Sequence, residues 1–179
     1  MYLSQQKQEE LLPLLREQAS YDPRTGSILI YKDERWSSTN SHLTIRGFLH
    51  RVPQKLAAWL LSEGTTVPSG YEILCRNLDE QDFTRFNLIL VQKEDYSRIN
   101  RLVCNARNHF RLIEHSTDNF KVLVKWIDFD TGVRRKKVFE DSVTARQFIK
   151  KNLRNLMKEL ERLGVNLEEA ELFLSRPRI

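Results

Sequence analysis

Cysteine is scarce in this chain: two in 179 residues, Cys75 and Cys104. Two thiols cannot build a disulfide framework, and four histidines leave little from which to assemble a structural zinc site. Long apolar runs are missing too. No eighteen consecutive apolar residues occur, so no membrane span and no membrane partner are expected. The opening MYLSQQKQEELL has neither the basic start nor the apolar core of a secretory signal. Internal repeats, low-complexity segments and long single-sign charge blocks are absent. These absences predict an intracellular, cytoplasmic protein with free thiols, built as one ordinary domain or two small ones.

What is present is an uneven charge. Residues 1–100 carry 12 Lys/Arg against 13 Asp/Glu, while residues 101–179 carry 17 against 11. A basic C-terminal half points to a polyanionic partner, of which nucleic acid is the commonest. A solvated basic surface is the plainer alternative.

The pattern along the chain predicts an α+β fold. Residues 4–18 read as a helix capped by Ser4 and kinked or restarted at Pro13. ASYDPRTGSILIYK, residues 19–32, reads as a hairpin turning at Asp22-Pro23 and Gly26. HLTIRGFLHRV suggests a short strand or pair. QKLAAWLLSE, residues 54–63, is a buried helix that Gly64 can end. Residues 65–85 read as irregular, Asn87–Val91 as a short apolar stretch and Lys93–Arg107 as helix. Three strands follow, at 109–115, 119–128 and 133–139, with Asp130-Thr131-Gly132 turning between the last two. Ser142–Leu163 is a long helix with apolar residues at 149, 153, 156, 160 and 163. Asn166-Leu-Glu-Glu169 has the shape of a capping box opening a last helix.

Four segments in order, the N-terminal helix, YDPRTGSILIYK, QKLAAWLLSEG and ILCRNLDEQDFTRFNLIL, resemble the HNH homing endonucleases of phages and mobile elements. The resemblance covers roughly residues 5–105. Tyr21, Asp22, Pro23, Thr25 and Gly26 match the family's opening hairpin, Leu56, Ala58 and Trp59 its helix, and Asn77, Asp79, Asp82, Asn87 and Leu88 the rest of its signature. It implies a degenerate ββα-metal domain over 1–105 and a separate domain over 106–179.

The departures fall on the chemistry the family uses. Its metal-binding Asp aligns with Leu74 and its general-base His with Cys75; Asn87 alone survives of the likely metal ligands. A positioned base is worth roughly 10²–10⁴ in rate. Leucine has no lone pair for magnesium, and a thiolate is a soft ligand that magnesium disfavours. Catalytic residues are therefore expected to be none, with Leu74, Cys75 and Asn87 vestigial, and no metal or cofactor is expected. The alternative is a divergent nuclease that recruits magnesium through Asp79, Asp82 and Asn87, or in which His42 or His50 activates Cys75.

The C-terminal three strands and helix, with Trp126, Phe139 and Ala145 at suitable places, resemble the DNA-binding domain of plant ethylene-response factors, which also occurs in phage endonucleases. That domain lays a three-stranded sheet in the major groove. Strand alternation puts Phe120, Val122 and Val124 toward the helix, and Lys121, Leu123 and Lys125 toward the groove. Arg134 and Lys136 share one face of the last strand, Arg135 and Lys137 the other; a one-residue slip exchanges them. Arg111 points out from the first strand. Arg98, Arg101, Arg107, Asn105 and Asn108 suit a linker tracking a DNA backbone or minor groove. The DNA-binding set is thus Arg101, Arg107, Asn108, Arg111, Lys121, Lys125, Arg134, Arg135, Lys136 and Lys137. The apolar stripe of 142–163 either meets the following helix or pairs with a second copy as a homodimer.

The two resemblances together imply a sequence-specific duplex-DNA-binding protein derived from a homing endonuclease, catalytically silent. Such a chain would act as a transcriptional repressor in a phage or phage satellite, in the cytoplasm of a bacterial host. An active metal-dependent nuclease and an RNA-binding or anti-host protein are the other readings.

Overall fold

The computed structural model describes residues 3–32, 35–38, 42–107, 112–114, 121–128 and 130–170. The fold is mixed α+β, with small antiparallel sheets and helices. The chain divides into two compact units, Met1–Lys93 and Glu94–Ile179. Among the described residues no helix is long and apolar enough to cross a membrane.

In the first unit, helix α1 (Gln5–Gln18) starts at Ser4, whose hydroxyl accepts from the Lys7 amide at 3.4 Å. Helix α1 runs on through Pro13, the residue expected to kink or restart it. Pro13 lies on the exposed side of the helix. Leu11 and Leu15 are fully buried. Strands β1 (Ala19–Tyr21), β2 (Ile28–Lys32) and β3 (Arg35–Ser38) form one antiparallel sheet. Strands β4 (His42–Leu43) and β5 (Val52–Pro53) pair, and helix α2 (Gln54–Glu63) follows directly. Leu56, Ala57, Ala58 and Leu60 of α2 are fully buried, and Gly64 ends it at φ 67°.

The stretch expected to be irregular contains a strand. β6 (Tyr71–Cys75) pairs antiparallel with β7 (Leu88–Gln92), from Tyr71 opposite Gln92 to Cys75 opposite Leu88. Ile73, Leu74 and Cys75 are buried in succession. A strand covered on both faces shows no alternation for a sequence reading to find.

Helix α3 (Lys93–Arg107) follows β6 and β7 in the order strand–strand–helix. Contacts assign all of it beyond Lys93 to the second unit, so the boundary expected at 105/106 falls at 93/94. Ile99 and Leu102 on one side of α3 are fully buried. Arg98 reaches both Asp130 at 2.8 Å and Glu159 at 3.2 Å.

The second unit also holds β8 (Leu112–Glu114), β9 (Val122–Ile127) and β10 (Arg134–Phe139) in one antiparallel sheet, with β9 in the middle. Helix α4 (Ser142–Arg162) is capped by Asp141, which accepts from the Thr144 amide and hydroxyl, each at 2.7 Å. It packs on the sheet through Ala145, Phe148, Ile149 and Leu153, against Val122, Val124, Trp126 and Phe139. Leu156 and Leu160 are also buried within the chain. Of the two readings of this apolar stripe, packing within the chain accounts for much of it. A helical turn at 167–170 opens where the capping box stands.

Candidate nucleic-acid interface

The chemistry open to the first unit depends on the YDPRTG turn and on the loop between β6 and β7. The YDPRTG turn is held by Asp22, whose carboxylate accepts from the Arg24 amide and the Thr25 hydroxyl, both at 2.9 Å. These bonds hold the Asp22 carboxyl below the usual carboxylate range. Gly26 sits at φ 71°, and a Cβ there would lie 2.6 Å from the Phe83 carbonyl carbon. The Arg85 amide donates to the Pro23 carbonyl at 3.1 Å, and the Tyr21 hydroxyl to the Phe83 carbonyl at 2.7 Å. Two segments of the matched signature therefore brace each other.

The loop between β6 and β7 is closed by an amide network. Asn87 is buried; its Nδ2 donates to Asn77 Oδ1 at 2.9 Å and to the Asp82 carbonyl at 2.7 Å, and its Oδ1 accepts from the Asn77 amide at 2.9 Å. Asn77 Nδ2 donates to Asp82 Oδ2 at 2.6 Å. Asp82 Oδ1 accepts from the Thr84 amide and Asp79 Oδ1 from the Gln81 amide. Leu74 and Cys75 are buried. Burial pushes the Cys75 thiol up to about 11, with the Lys55 charge opposing it, so the sulfur is protonated at neutral pH. The alternative activator His50 is engaged elsewhere, its Nε2 2.8 Å from Lys7 Nζ.

These residues do not fit a magnesium ion. Leu74 has no donor, Cys75 is a neutral thiol, and the Asn87, Asp79 and Asp82 side chains close the loop on itself. Among the described residues no three His, Cys, Asp or Glu side chains gather as metal ligands do.

The second unit is organised differently. The β9–β10 turn is set by Asp128, which sequence reading passed over. Its Oδ1 accepts from the Thr131 amide at 2.9 Å and hydroxyl at 2.8 Å, and Gly132 takes φ 72°. Those bonds hold the Asp128 carboxyl low. The register that follows puts Arg134 opposite Ile127, Arg135 opposite Trp126, Lys136 opposite Lys125 and Lys137 opposite Val124.

Residues directly opposite share a face. Val122, Val124, Trp126, Arg135, Lys137 and Phe139 are on the α4 side. There Lys137 Nζ lies 5.2 Å from the ring centroids of both Phe139 and Phe148, and Arg135 Nε is 3.6 Å from Asp128 Oδ2. Lys121, Leu123, Lys125, Arg134, Lys136 and Val138 are on the open side. Lys125, Arg134 and Lys136 are exposed there and pair with no acid among the described residues. Lys121 meets Glu140 at 3.9 Å, both largely exposed. The two basic pairs left interchangeable by the sequence are thus told apart by register.

Other residues of the expected set separate. Arg98, expected beside this set in a DNA-tracking linker, pairs with Asp130 and Glu159. Arg101 lies along the turn, its Cδ 3.7 Å from where a Gly132 Cβ would be. Arg107 ends α3. Asn108 and Arg111 lie outside the described residues. The exposed Arg146, Lys150, Lys151, Arg154 and Lys158 of α4 were not singled out from the sequence, although a four-residue spacing signals a shared helix face.

Compared with protein-family models, curated proteins and solved structures, the chain matches none.

Proposed function

We propose that this chain is a sequence-specific duplex-DNA-binding protein that reads the major groove with the open face of β8–β10. Its first unit serves as a nuclease-like frame of ββα-metal type without nuclease chemistry. A transcriptional repressor in a phage or phage satellite, acting in the bacterial cytoplasm, is the role this combination suits.

One observation carries the proposal. Lys125 and Lys136 stand directly opposite each other on the uncovered sheet face, with Arg134 two residues from Lys136 on the same side. Like charges directly opposite destabilise a sheet. No acid among the described residues offsets this pair. A phosphate backbone would, and a guanidinium in the groove can read guanine bidentately. The first unit supports silence by its chemistry: a buried neutral thiol and a leucine stand where a base and a metal ligand are needed.

Footprinting on phage-type genomic DNA, with and without magnesium, tests it. A protected site with intact strands is expected under both conditions. Magnesium-dependent nicking makes the chain a nuclease instead, and preferential protection of RNA removes DNA as the partner. On the protected site, Arg134→Ala should cost about 1–3 kcal/mol on cognate DNA alone. Lys136→Ala should weaken all sequences alike and lower the salt slope by about 0.9.

A further inference from the structure

The outer face of α4 carries an arrangement that sheet reading leaves unused. Arg146, Lys150, Arg154 and Lys158 recur every four residues, and all are exposed. Lys151 joins them on the adjoining row. From Ser142 to Lys158 the helix has no Asp or Glu. Like charges at i,i+4 destabilise a helix, and helix surfaces ordinarily intersperse acids to avoid it. Here three such pairs follow one another, 146–150, 150–154 and 154–158. None of the five cations pairs with an acid among the described residues. The row ends where acids begin: Glu159 binds Arg162 through two hydrogen bonds of 3.0 and 2.7 Å.

The opposite side of α4 is the apolar one. Ala145, Phe148, Ile149 and Leu153 lie on the sheet. The basic row is exposed on the remaining surface of α4, bordered by Ile149, Leu153 and Met157, while Lys125, Arg134 and Lys136 are exposed on the sheet's other face. A straight duplex lying on one surface does not reach the other.

We infer that the outer face of α4 is a second nucleic-acid surface, which binds the phosphate backbone of a separate duplex segment without sequence preference. Charge complementarity selects the occupant. Four residues of helix rise about 6 Å, so the row from Arg146 to Lys158 runs about 18 Å. Duplex DNA carries one charge per about 1.7 Å of axis, so about ten phosphate charges lie along that length. A membrane surface suits the face poorly, because Ala145, Leu156 and Leu160 are buried within the chain and only the partly covered Ile149, Leu153 and Met157 border the row. The inference rests on the proposal that the second unit binds duplex DNA.

The test uses the full chain and the quadruple variant Arg146→Gln, Lys150→Gln, Arg154→Gln, Lys158→Gln. Glutamine keeps helix propensity close to that of lysine and arginine. Relief of the three like-charge pairs should leave the thermal midpoint equal or higher, so the fold is checked independently. At low salt the native chain should bind two equivalents of a short duplex and bridge two labelled duplexes. The variant should bind one, without bridging. Its total salt slope should fall by about three to four, at about 0.9 per contact, and its preference for cognate over scrambled DNA should be unchanged. An unchanged slope and two retained equivalents in the variant would overturn the inference. So would displacement of the second duplex by polyglutamate of equal charge at equal concentration, which would identify an acidic protein surface as the natural occupant. Binding that survives Arg134→Ala and Lys136→Ala unaltered but is lost in the quadruple variant refutes reading by the sheet and leaves the α4 surface standing. No binding of duplex DNA by the native chain refutes both.

Discussion

The two compact units put polar residues to opposite uses. Residues 1–93 hold 11 Lys/Arg and 11 Asp/Glu, and the amides and carboxylates of the loop between β6 and β7 are bonded to one another. Residues 94–179 hold 18 against 13, and two groups of exposed cations, Lys125, Arg134 and Lys136 on the sheet and Arg146 to Lys158 on α4, pair with no acid among the described residues. A polar group satisfied inside the chain builds the fold. A like-charged row left to solvent costs stability, and an outside anion can relieve it.

The largest expected break in the first unit is Gly26→Ala. The positive φ and the 2.6 Å approach to the Phe83 backbone act together, so a loss of about 3 kcal/mol is expected. Urea unfolding followed by far-UV circular dichroism measures it. A loss under 1 kcal/mol would mean that the turn does not press on residues 83–84.

Asn87→Ala should cost about 2–3 kcal/mol, since it orphans the Asn77 amide and the Asp82 carbonyl in a closed loop. Affinity for DNA should not change. If a folded Asn87→Ala chain lost a magnesium-dependent nicking that the native chain possessed, Asn87 would be a ligand and the contrast between the units would fail.

Alkaline pH should weaken the first unit. Burial raises Cys75 to about 11, from an ordinary 9.0. Burial, with Glu63 adding, raises Tyr21 to about 12 from 10.0. Both groups ionise more readily when unfolded, so their contribution is whole below about pH 9 and is lost as pH climbs toward 11 and 12. Unfolding midpoints measured from pH 8 to 11 should fall, and Cys75→Ser should flatten the lower part of that fall. In the native chain at pH 8, iodoacetamide should label the half-buried Cys104 well before Cys75, as mass spectrometry would record.

The smallest effect is expected at the rim of the open sheet face. Glu140 sits 3.9 Å from Lys121, and both are exposed. Glu140→Gln should change stability by less than about 0.5 kcal/mol. It should tighten DNA binding slightly at low salt, by removing the one described acid paired on that face. Weaker binding would mean that the face does not meet phosphate.

Much of the architecture was legible in local signals. Ser4, Gly26, Gly64 and Gly132 mark ends and turns that the structure contains. Alternation in KVLVKW separated Val122 and Val124 from Lys121 and Lys125 as their burial does. What escaped were features without a local period or with a distant partner. β6 was missed because Ile73, Leu74 and Cys75 are buried in a row. The compact units divide at 93/94 rather than at the expected 105/106, and α3 has partners far along the chain, as Arg98 does in Asp130 and Glu159. The four-residue spacing of the basic row of α4 is plain in the sequence, but that its residues are exposed and pair with no described acid depends on tertiary contacts.

By itself, then, the sequence determined which residues share a face, where the chain turns and which half is basic, because backbone period and charge are local properties. Only the tertiary structure decided what each face meets. It assigned Arg135 and Lys137 to the α4 side and Arg134 and Lys136 to solvent, through the register that Asp128 sets. It gave the Asn87 amide to Asn77 and Asp82 rather than leaving it open to a ligand. It covered most of the apolar stripe of α4 within the chain. Each of these depends on contacts between segments distant in sequence, and no local pattern encodes which of two equivalent faces such a contact will cover.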